Sequence, residues 1–398
     1  MAQKKKSDFR LLNTPGDVSE IKKKVRRLYL EKARRALVLV VLIVLAISGT
    51  YLLLTNSAYE HARTASEYPT DTSDSSNYIE FANGVVRYNR DGVAFLNKKN
   101  EEQWIQPVQI RTPIIEVKKH AFAVADSGGN NIFVFTKEGL KGEIETSLPI
   151  ERLAISDQGI VTVVLKNEAL PKIISYDATG NVLVEQQVTA STMGYPIAID
   201  MSDNGKMLGV SYLYTQDGTI KSQIIYYNFG EQGKGKPDNI VLKEIYQNTV
   251  IADIFFIGND RSVAVGDNGF VIYKGREIPK KEKEVPLKQE IQSLFHSDKY
   301  IGMILLNPEK SGYEMRLYNG LGEQVINKEV SGRFSRAKLL GDEVIMYEGS
   351  RCCIVTATGI QKFEGDIKTE ALEIFKASGV NRYYVMSPDE LKIIYLTK

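Results

Sequence analysis

Residues 121–139 read AFAVADSGGNNIFVFTKEG, and this stretch decides how the rest of the chain is interpreted. Two apolar runs, 121–125 and 132–135, are separated by six residues that are polar or glycine, and Gly139 follows the second run. Short runs that are rich in Phe, Ile and Val and bounded by Gly, Asn and Ser are typical of paired β-strands, not of helices. The stretch therefore predicts a β-hairpin followed by another tight turn.

The same pair of runs recurs along most of the chain. Each second run is followed by a residue that tolerates positive φ, namely Asn100, Gly139, Gly180, Gly230, Gly275, Gly322 and Gly359. Successive turn residues are 37 to 50 positions apart. A repeat of about 40–50 residues with four strands per unit is typical of a β-propeller. A βαβ fold is disfavoured because no amphipathic helix separates the strand runs. We therefore predict an all-β propeller over residues 78–398.

The number of blades depends on how the ring closes. Eight second runs, from 93–96 to 393–396, favour eight blades, and a seven-bladed ring with one irregular unit is the alternative. The last unit supplies only three strands, including one over residues 369–377 that is assigned only from its place in the repeat. An open ring would leave unpaired strand edges. We therefore expect a strand at residues 78–81 to complete the last blade.

An apolar segment near the amino terminus predicts a membrane helix. Residues 36–54, ALVLVVLIVLAISGTYLLL, contain no charge. Nineteen helical residues extend about 28 Å, close to the ~30 Å hydrocarbon core of a bilayer. A cleaved signal peptide is the rival interpretation, because residues 46–48 resemble a cleavage site. The basic head and the apolar core are both longer than signal peptides usually have, so a signal anchor is preferred.

Charge is distributed unevenly around this segment. Residues 1–35 contain twelve Lys or Arg and four acids, whereas the 24 residues after the segment contain one Arg and four acids. Basic flanks stay in the cytoplasm, so we expect a single-pass protein of the cell membrane with a cytoplasmic amino terminus and an extracytoplasmic body. Apolar positions from Val18 to Leu28 predict a basic amphipathic helix that contacts the anionic inner leaflet. The remainder of the chain is mildly acidic, which argues against nucleic acid as a partner.

Composition divides the chain into four parts. Residues 1–35 form the basic cytoplasmic head, 36–54 the anchor, 55–77 a stalk and 78–398 the propeller. The stalk prediction rests on abundant Ser and Thr and on few aliphatic residues, a composition that cannot bury a core. The chain has no glycosylation sequon, which favours a bacterial cell envelope.

Motifs that would indicate catalysis or cofactor binding are weak. Residues 230–236, GEQGKGK, have the spacing of a phosphate loop, but Pro237 replaces the required Ser or Thr and no helix pattern follows. The three histidines, His61, His120 and His296, have no second ligand at metal spacing. We therefore assign no catalytic, cofactor-binding or metal-ligating residue, and we expect no cofactor and no enzymatic activity.

The two cysteines and the mixed-charge residues are interpreted structurally. Cys352 and Cys353 are neighbours in a predicted strand, so their side chains should face opposite sides and remain free thiols packed between blades. A quinone-binding propeller would repeat tryptophan at its blade contacts, but this chain has only Trp104. Residues 276–290 are interpreted as a solvated loop of mixed charge.

Several short sequence segments resemble parts of known propeller proteins. Residues 176–181, YDATGN, and 135–139, FTKEG, resemble blade turns of quinoprotein-like and WD40-like propellers. The order of basic head, anchor, stalk and propeller resembles an uncharacterised family of membrane-anchored propeller proteins of Gram-positive anaerobes, including residues 84–92 and 211–214. This resemblance covers almost the whole chain and implies an architecture and a location, but no activity.

Three classes of function fit these observations. The preferred hypothesis is a binding or scaffold module that holds a protein or a wall polymer outside the membrane, since propellers build function from loops on a stable ring. The second is a single-span sensor that relays to a cytoplasmic partner. The third, an envelope enzyme that uses carboxylates in the central channel, has no supporting motif.

Overall fold

The computed structural model describes residues 15–69, 76–167, 170–187, 193–307 and 312–398, with side chains described from residue 22 onwards except for Gln187. The chain divides into two compact units, of which the first ends at Ser57 and the second runs from Ala58 to Lys398. Each unit has its own architecture.

The first unit is helix α1 (Pro15–Thr55), 41 residues long. Its stretch Lys22–Thr55 is long and apolar enough to cross a membrane, and protein buries none of its most apolar window. The hydroxyls of Thr50 and Thr55 donate to the carbonyl oxygens of Ala46 and Tyr51, each over 2.9 Å, so these polar side chains are satisfied within the helix. The predicted basic helix and the predicted apolar helix are confirmed as one continuous element.

The second unit begins with strand β1 (His61–Pro69) and continues with 31 more strands in the described residues. The strands form eight four-stranded antiparallel sheets. Blade 1 comprises β2 (Asn77–Phe81), β3 (Gly84–Tyr88), β4 (Gly92–Leu96) and β5 (Glu102–Pro107). Blade 2 comprises β6 (Pro113–Val117), β7 (Ala121–Asp126), β8 (Asn131–Thr136) and β9 (Gly139–Glu145). Blade 3 comprises β10 (Ile150–Ile155), β11 (Val161–Leu165), β12 (Lys172–Tyr176) and β13 (Val182–Gln187).

The remaining blades repeat this order. Blade 4 comprises β14 (Tyr195–Met201), β15 (Met207–Gln216), β16 (Thr219–Asn228) and β17 (Ile240–Gln247), with a short 3-10 helix at Pro237–Asn239. Blade 5 comprises β18 (Ile251–Ile257), β19 (Arg261–Gly266), β20 (Gly269–Lys274) and β21 (Lys280–Pro286). Blade 6 comprises β22 (Glu290–His296), β23 (Tyr300–Asn307), β24 (Gly312–Asn319) and β25 (Gln324–Val330). Blade 7 comprises β26 (Arg336–Leu340), β27 (Glu343–Glu348), β28 (Arg351–Thr356) and β29 (Gln361–Asp366). Blade 8 comprises β30 (Glu373–Lys376), β31 (Arg382–Met386), β32 (Glu390–Thr397) and β1.

Burial explains why the two middle strands of each blade carry the strongest sequence signal. In blade 3, every residue of β11 is buried, because neighbouring blades cover both faces of a middle strand. The outermost strand β21 in blade 5 reads KKEKEVP and is mostly exposed. Residues 276–290 were interpreted as a loop, and that interpretation is wrong for Lys280–Pro286, because an outermost strand tolerates charge on its solvent side.

Apolar clusters join every neighbouring pair of blades. The described residues form eight such buried clusters, one at each blade interface, and one of them joins blade 8 to blade 1 through Phe375, Met386, Tyr78 and Leu96. In the cluster between blades 1 and 2, Trp104 stacks on Phe135 with ring centroids 5.4 Å apart. The predicted eight-bladed propeller is therefore confirmed, and the seven-bladed alternative is wrong.

The amino-terminal strand closes the ring, but it is not the predicted one. Strand β1 pairs with β32 from His61 opposite Thr397 to Pro69 opposite Glu390 and forms the outermost strand of blade 8. Residues 78–81, which we expected in this role, belong to β2 and pair with β3 inside blade 1. The prediction that an amino-terminal strand closes the ring is confirmed, whereas the assignment of that strand to residues 78–81 is wrong.

The predicted stalk must be corrected for the same reason. Of residues 55–77, the segment from Tyr59 to Pro69 is part of the propeller, with Tyr59 and Ala62 buried among blades 7 and 8. Residues 70–75 of the predicted stalk lie outside the described residues. The Ser and Thr content misled the prediction, because an outermost strand needs few apolar residues to pair through its backbone.

A buried ion pair lies beside the closing strand. The Lys362 ammonium is 2.5 Å from Glu343 Oε1, and the Tyr383 hydroxyl donates to Glu343 Oε2 over 2.9 Å. Lys362 is 1% exposed, so its charge depends on these partners. The backbone N–H of Tyr59 donates to the carbonyl oxygen of Lys362 over 2.8 Å. The chain therefore enters the ring directly against this buried network.

The turns between third and fourth strands share a local mechanism. In the phrase YDATGN, Asp177 Oδ1 accepts hydrogen bonds from the N–H groups of Thr179 and Asn181, and Gly180 has φ 92°. Asn97 and Asn319 accept from residues two and four positions later in the same way. Six of the seven predicted turn residues adopt positive φ, and Gly230 is the exception because blade 4 has a longer loop there.

The cysteines lie where the sequence predicts. Cys352 and Cys353 are both buried and unpaired thiols. Cys352 packs between blades 7 and 8, whereas Cys353 packs between blades 6 and 7. Their opposite orientation is therefore confirmed.

Candidate functional site

The first strand of each blade faces the centre of the ring. First strands of neighbouring blades contact one another, as β14 does with β10 and β18. Several of them carry charged side chains near the turn to the second strand. We call Glu116, Lys118, Asp200, Asp253 and His296 the channel cluster, which draws on blades 2, 4, 5 and 6.

An ion pair crosses the channel. The Lys118 ammonium lies 3.1 Å from Asp200 Oδ1 and 3.2 Å from Oδ2, although the two residues belong to blades 2 and 4. Asp200 Oδ2 also accepts a hydrogen bond of 2.7 Å from the backbone N–H of Phe256 in blade 5. Because both side chains are mostly buried, the pair is shielded from solvent. One carboxylate thus connects three blades.

Two further carboxyl groups face this pair. Glu116 presents its side chain to the solvent-accessible channel, but protein surrounds its carboxylate on most sides. Burial, and next the Asp200 charge, raise the pKa of Glu116 to about 8. Burial likewise raises the pKa of Asp253 to about 6. Near neutral pH, the cluster therefore holds carboxyl groups in different protonation states.

His296 contributes a neutral ring to the same site. Its imidazole stacks on Phe255 with ring centroids 3.8 Å apart and an angle of 6° between the planes. Loss of hydration lowers the pKa of His296 to about 4, so the ring is uncharged at neutral pH. An uncharged imidazole beside carboxyl groups can donate or accept a hydrogen bond.

Polar turns surround the mouth of the channel next to this cluster. The ring of His120 lies 3.3 Å from Asp157, and the N–H of Asp157 donates to the carbonyl oxygen of Asp203 over 3.0 Å. The N–H of Asn204 donates to Asn259 Oδ1 over 2.9 Å. These contacts join the turns of blades 2, 3, 4 and 5 in sequence. The mouth therefore presents hydrogen-bonding groups on a connected rim.

The phosphate-loop-like segment and the three histidines singled out in the sequence lie in different parts of the structure. Residues 230–236 form part of the loop between β16 and β17, and only the three-residue helix Pro237–Asn239 follows. His61 begins β1, His120 lies on the exposed rim and His296 lies in the channel cluster. Among the described residues, no group of three or more His, Cys, Asp or Glu side chains is placed to hold a metal ion.

Of the channel cluster, sequence reasoning singled out only His296, and it did not identify that residue as part of a site. The signal of the cluster is a charged residue within an otherwise apolar first strand, as in PIIEV for Glu116 and IAIDM for Asp200. Such residues are notable because a strand between two blades is otherwise apolar. The apolar runs that reveal the repeat lie in the two middle strands of each blade, whereas these charges lie in the first strands.

Solved structures resemble this chain at low sequence identity. The crystal structure of Sqt1 from Saccharomyces cerevisiae has a TM-score of 0.55 at 11% identity, and the match covers 86% of this chain and 100% of that one. BamB from Moraxella catarrhalis has a TM-score of 0.49 at 10% identity, with 84% and 100% covered. The Sqt1 similarity supports the fold and, at this identity, nothing about activity.

Sequence comparison leads to one family. No protein with a curated description matches this chain. A family model described as "Family of unknown function (DUF5711)" matches residues 55–396, which include β1 and every blade. The chain therefore belongs to the DUF5711 family.

Proposed function

We propose that this protein is a membrane-anchored propeller that binds a protein or another cell-envelope ligand at the mouth of its central channel. The channel cluster carries this proposal. Three carboxyl groups, a lysine and a neutral histidine from four blades meet at one place, although an apolar channel would pack with less electrostatic cost. Ionisable groups with perturbed pKa values concentrate at functional sites.

The anchor and its orientation belong to the same proposal. The exposed apolar stretch of α1 supports membrane insertion, and the twelve basic residues before it favour a cytoplasmic amino terminus. The propeller then lies on the outer side of the cell membrane, and the basic head contacts the anionic inner leaflet. The role is binding and scaffolding, without catalysis and without nucleic acid.

Affinity capture from solubilised native membranes tests the binding role. The full-length chain should retain a partner that is lost with Lys118→Gln and with Asp200→Asn, because each substitution removes the ion pair across the channel. Lys172→Gln is the matched control, since it removes an ion pair between Lys172 and Glu185 on the surface of blade 3. Capture that is identical for all four proteins would rule out the channel mouth as the binding surface.

A further inference from the structure

A second cavity lies between blades 6 and 7, away from the channel cluster. It has a volume of about 450 Å³ and is bounded by strands β23, β24, β25, β27, β28 and β29. Small-molecule sites usually have volumes of about 300–1,000 Å³. The cavity is therefore large enough for a small ligand and shares no residue with the channel cluster.

Part of the cavity lining is apolar. Met346, Cys353 and Val355 from the two middle strands of blade 7 line it, and Tyr313 of blade 6 lines it as well. Burial raises the pKa of the Cys353 thiol to about 12, so this cysteine contributes an apolar surface and not a nucleophile. A ligand with a flat apolar face would fit against these side chains.

The lining also carries hydrogen-bonding groups, and its three carboxylates, Glu314, Glu329 and Glu364, are offset by Lys328 and by two adjacent arginines. Glu314 forms an ion pair with Arg316 and accepts a 3.2 Å hydrogen bond from Asn307. Glu364 lies 3.0 Å from Arg351 and accepts a 2.7 Å hydrogen bond from Gln361. A cationic ligand would have to compete with these arginines for the carboxylates, and an anionic ligand would be repelled by the carboxylates.

A neutral ligand with hydroxyl groups meets no such competition. Each carboxylate offers about four acceptor positions, of which the contacts above use only part, and an amide such as Gln361 both donates and accepts. Ligand hydroxyl groups can donate hydrogen bonds to the carboxylates, and they can both donate to and accept from the Gln361 amide. Sugars combine such hydroxyls with an apolar C–H face that matches Tyr313, Met346 and Val355.

From the residues that line it, we propose that the cavity between blades 6 and 7 binds a neutral saccharide of one or two units. This site is independent of the proposed channel-mouth function, so either can fail without the other. Saccharide binding would give the propeller a direct contact with cell-envelope polymers.

Methyl NMR on the full-length chain in lipid nanodiscs tests this site without sugar-based detergents. Met346 lines the cavity, and Met201 of blade 4 is a buried internal reference. The probes are N,N′-diacetylchitobiose and maltose at about 10 mM, enough to detect a Kd of about 1 mM. We expect at least one disaccharide to shift the Met346 methyl signal and to leave that of Met201 unchanged.

Two substitutions distinguish the cavity from a general effect. Tyr313→Ala should weaken binding by about tenfold, which corresponds to about 1.4 kcal/mol. Tyr300→Ala should not, because Tyr300 packs on the same apolar cluster without lining the cavity. Absence of any Met346 shift, equal affinity of the Tyr313→Ala protein, or a stronger response to the diamine cadaverine would overturn the proposal.

Discussion

At the residue scale, Asp200 and Glu116 show that two carboxylates in one channel can have very different partners. Asp200 has a cationic partner, Lys118, and a backbone N–H donor, that of Phe256. Within the described residues, no hydrogen bond or ion pair reaches the carboxylate of Glu116, which faces the Asp200 charge. Burial, and next the Asp200 charge, therefore raise the pKa of Glu116 well above the ordinary value, to about 8.

This difference predicts how Glu116→Gln changes stability with pH. The folded-state pKa of Glu116 is about 8, above the value of 4.5 for the free side chain, so its contribution to stability is complete below pH 4.5 and is lost as pH rises to 8. Glutamine keeps the neutral form at every pH. We therefore expect Glu116→Gln to raise the Tm relative to the wild type by an amount that grows between pH 5 and 8, on the order of 1–3 °C.

The measurement is a series of thermal unfolding curves for both proteins across that pH range. Glu143→Gln on the exposed outermost strand of the same blade is the control. A Tm difference that is the same at pH 5 and pH 8 would show that Glu116 ionises freely in the folded protein.

At the element scale, the pattern of apolar and polar residues in a strand depends on the position of that strand in its blade. Middle strands are covered on both faces, so they appear in the sequence as apolar runs. These runs predicted both the middle strands and the number of blades. First strands mix apolar residues with channel charges, and outermost strands such as β21 are largely polar. Strand β1 buries only Ala62 among its nine residues, so no period-two hydrophobic signal was available for it. The channel cluster was hidden because its members are up to 180 positions apart, from Glu116 to His296, and only the ring brings them together.

Strand β1 should be essential for the stability of the propeller. A chain that begins at Ala58 keeps the whole second unit, whereas one that begins at Ser76 loses β1 and exposes the edge of β32. We expect the shorter chain to melt at least about 5 °C lower, because it loses a strand ladder and the burial of Tyr59 and Ala62. Equal Tm values for the two chains would show that β1 pairing is not needed.

A pair of single substitutions tests the same strand in the full-length protein. Ala62 is buried and Arg63 is exposed, although they are neighbours in β1. Ala62→Asp should therefore lower the Tm and Arg63→Asp should leave it nearly unchanged. Similar losses for both would indicate that β1 is not docked in the register described above.

At the scale of the whole molecule, the ring is held together without covalent cross-links. Neither cysteine forms a disulfide, and one apolar cluster per interface joins each blade to the next. The native thiols are buried, so they should give little background in a labelling experiment. This property allows introduced cysteines to report on which side of the membrane each unit lies.

The proposed orientation predicts opposite labelling of two exposed positions. In intact cells, a membrane-impermeant maleimide should label Thr215→Cys in the propeller and should label Lys24→Cys in α1 only after lysis. The wild-type chain is the control for background from Cys352 and Cys353. Labelling of Lys24→Cys in intact cells would reverse the orientation, and release of the propeller without α1 into the medium would identify a cleaved signal peptide.

The pairing of β1 with β32 also means that blade 8 cannot be completed until the end of the chain has been synthesised. His61 and Thr397 are partners in the same ladder, yet the ribosome makes them more than 300 residues apart. At about 5–20 residues per second, the early strand waits at least 15 seconds or so for its partner. During that interval the seven earlier blades can assemble in order, but blade 8 remains incomplete and β1 is available for incorrect pairing. Proteins that hold nascent chains should therefore matter most for this molecule at its first strand.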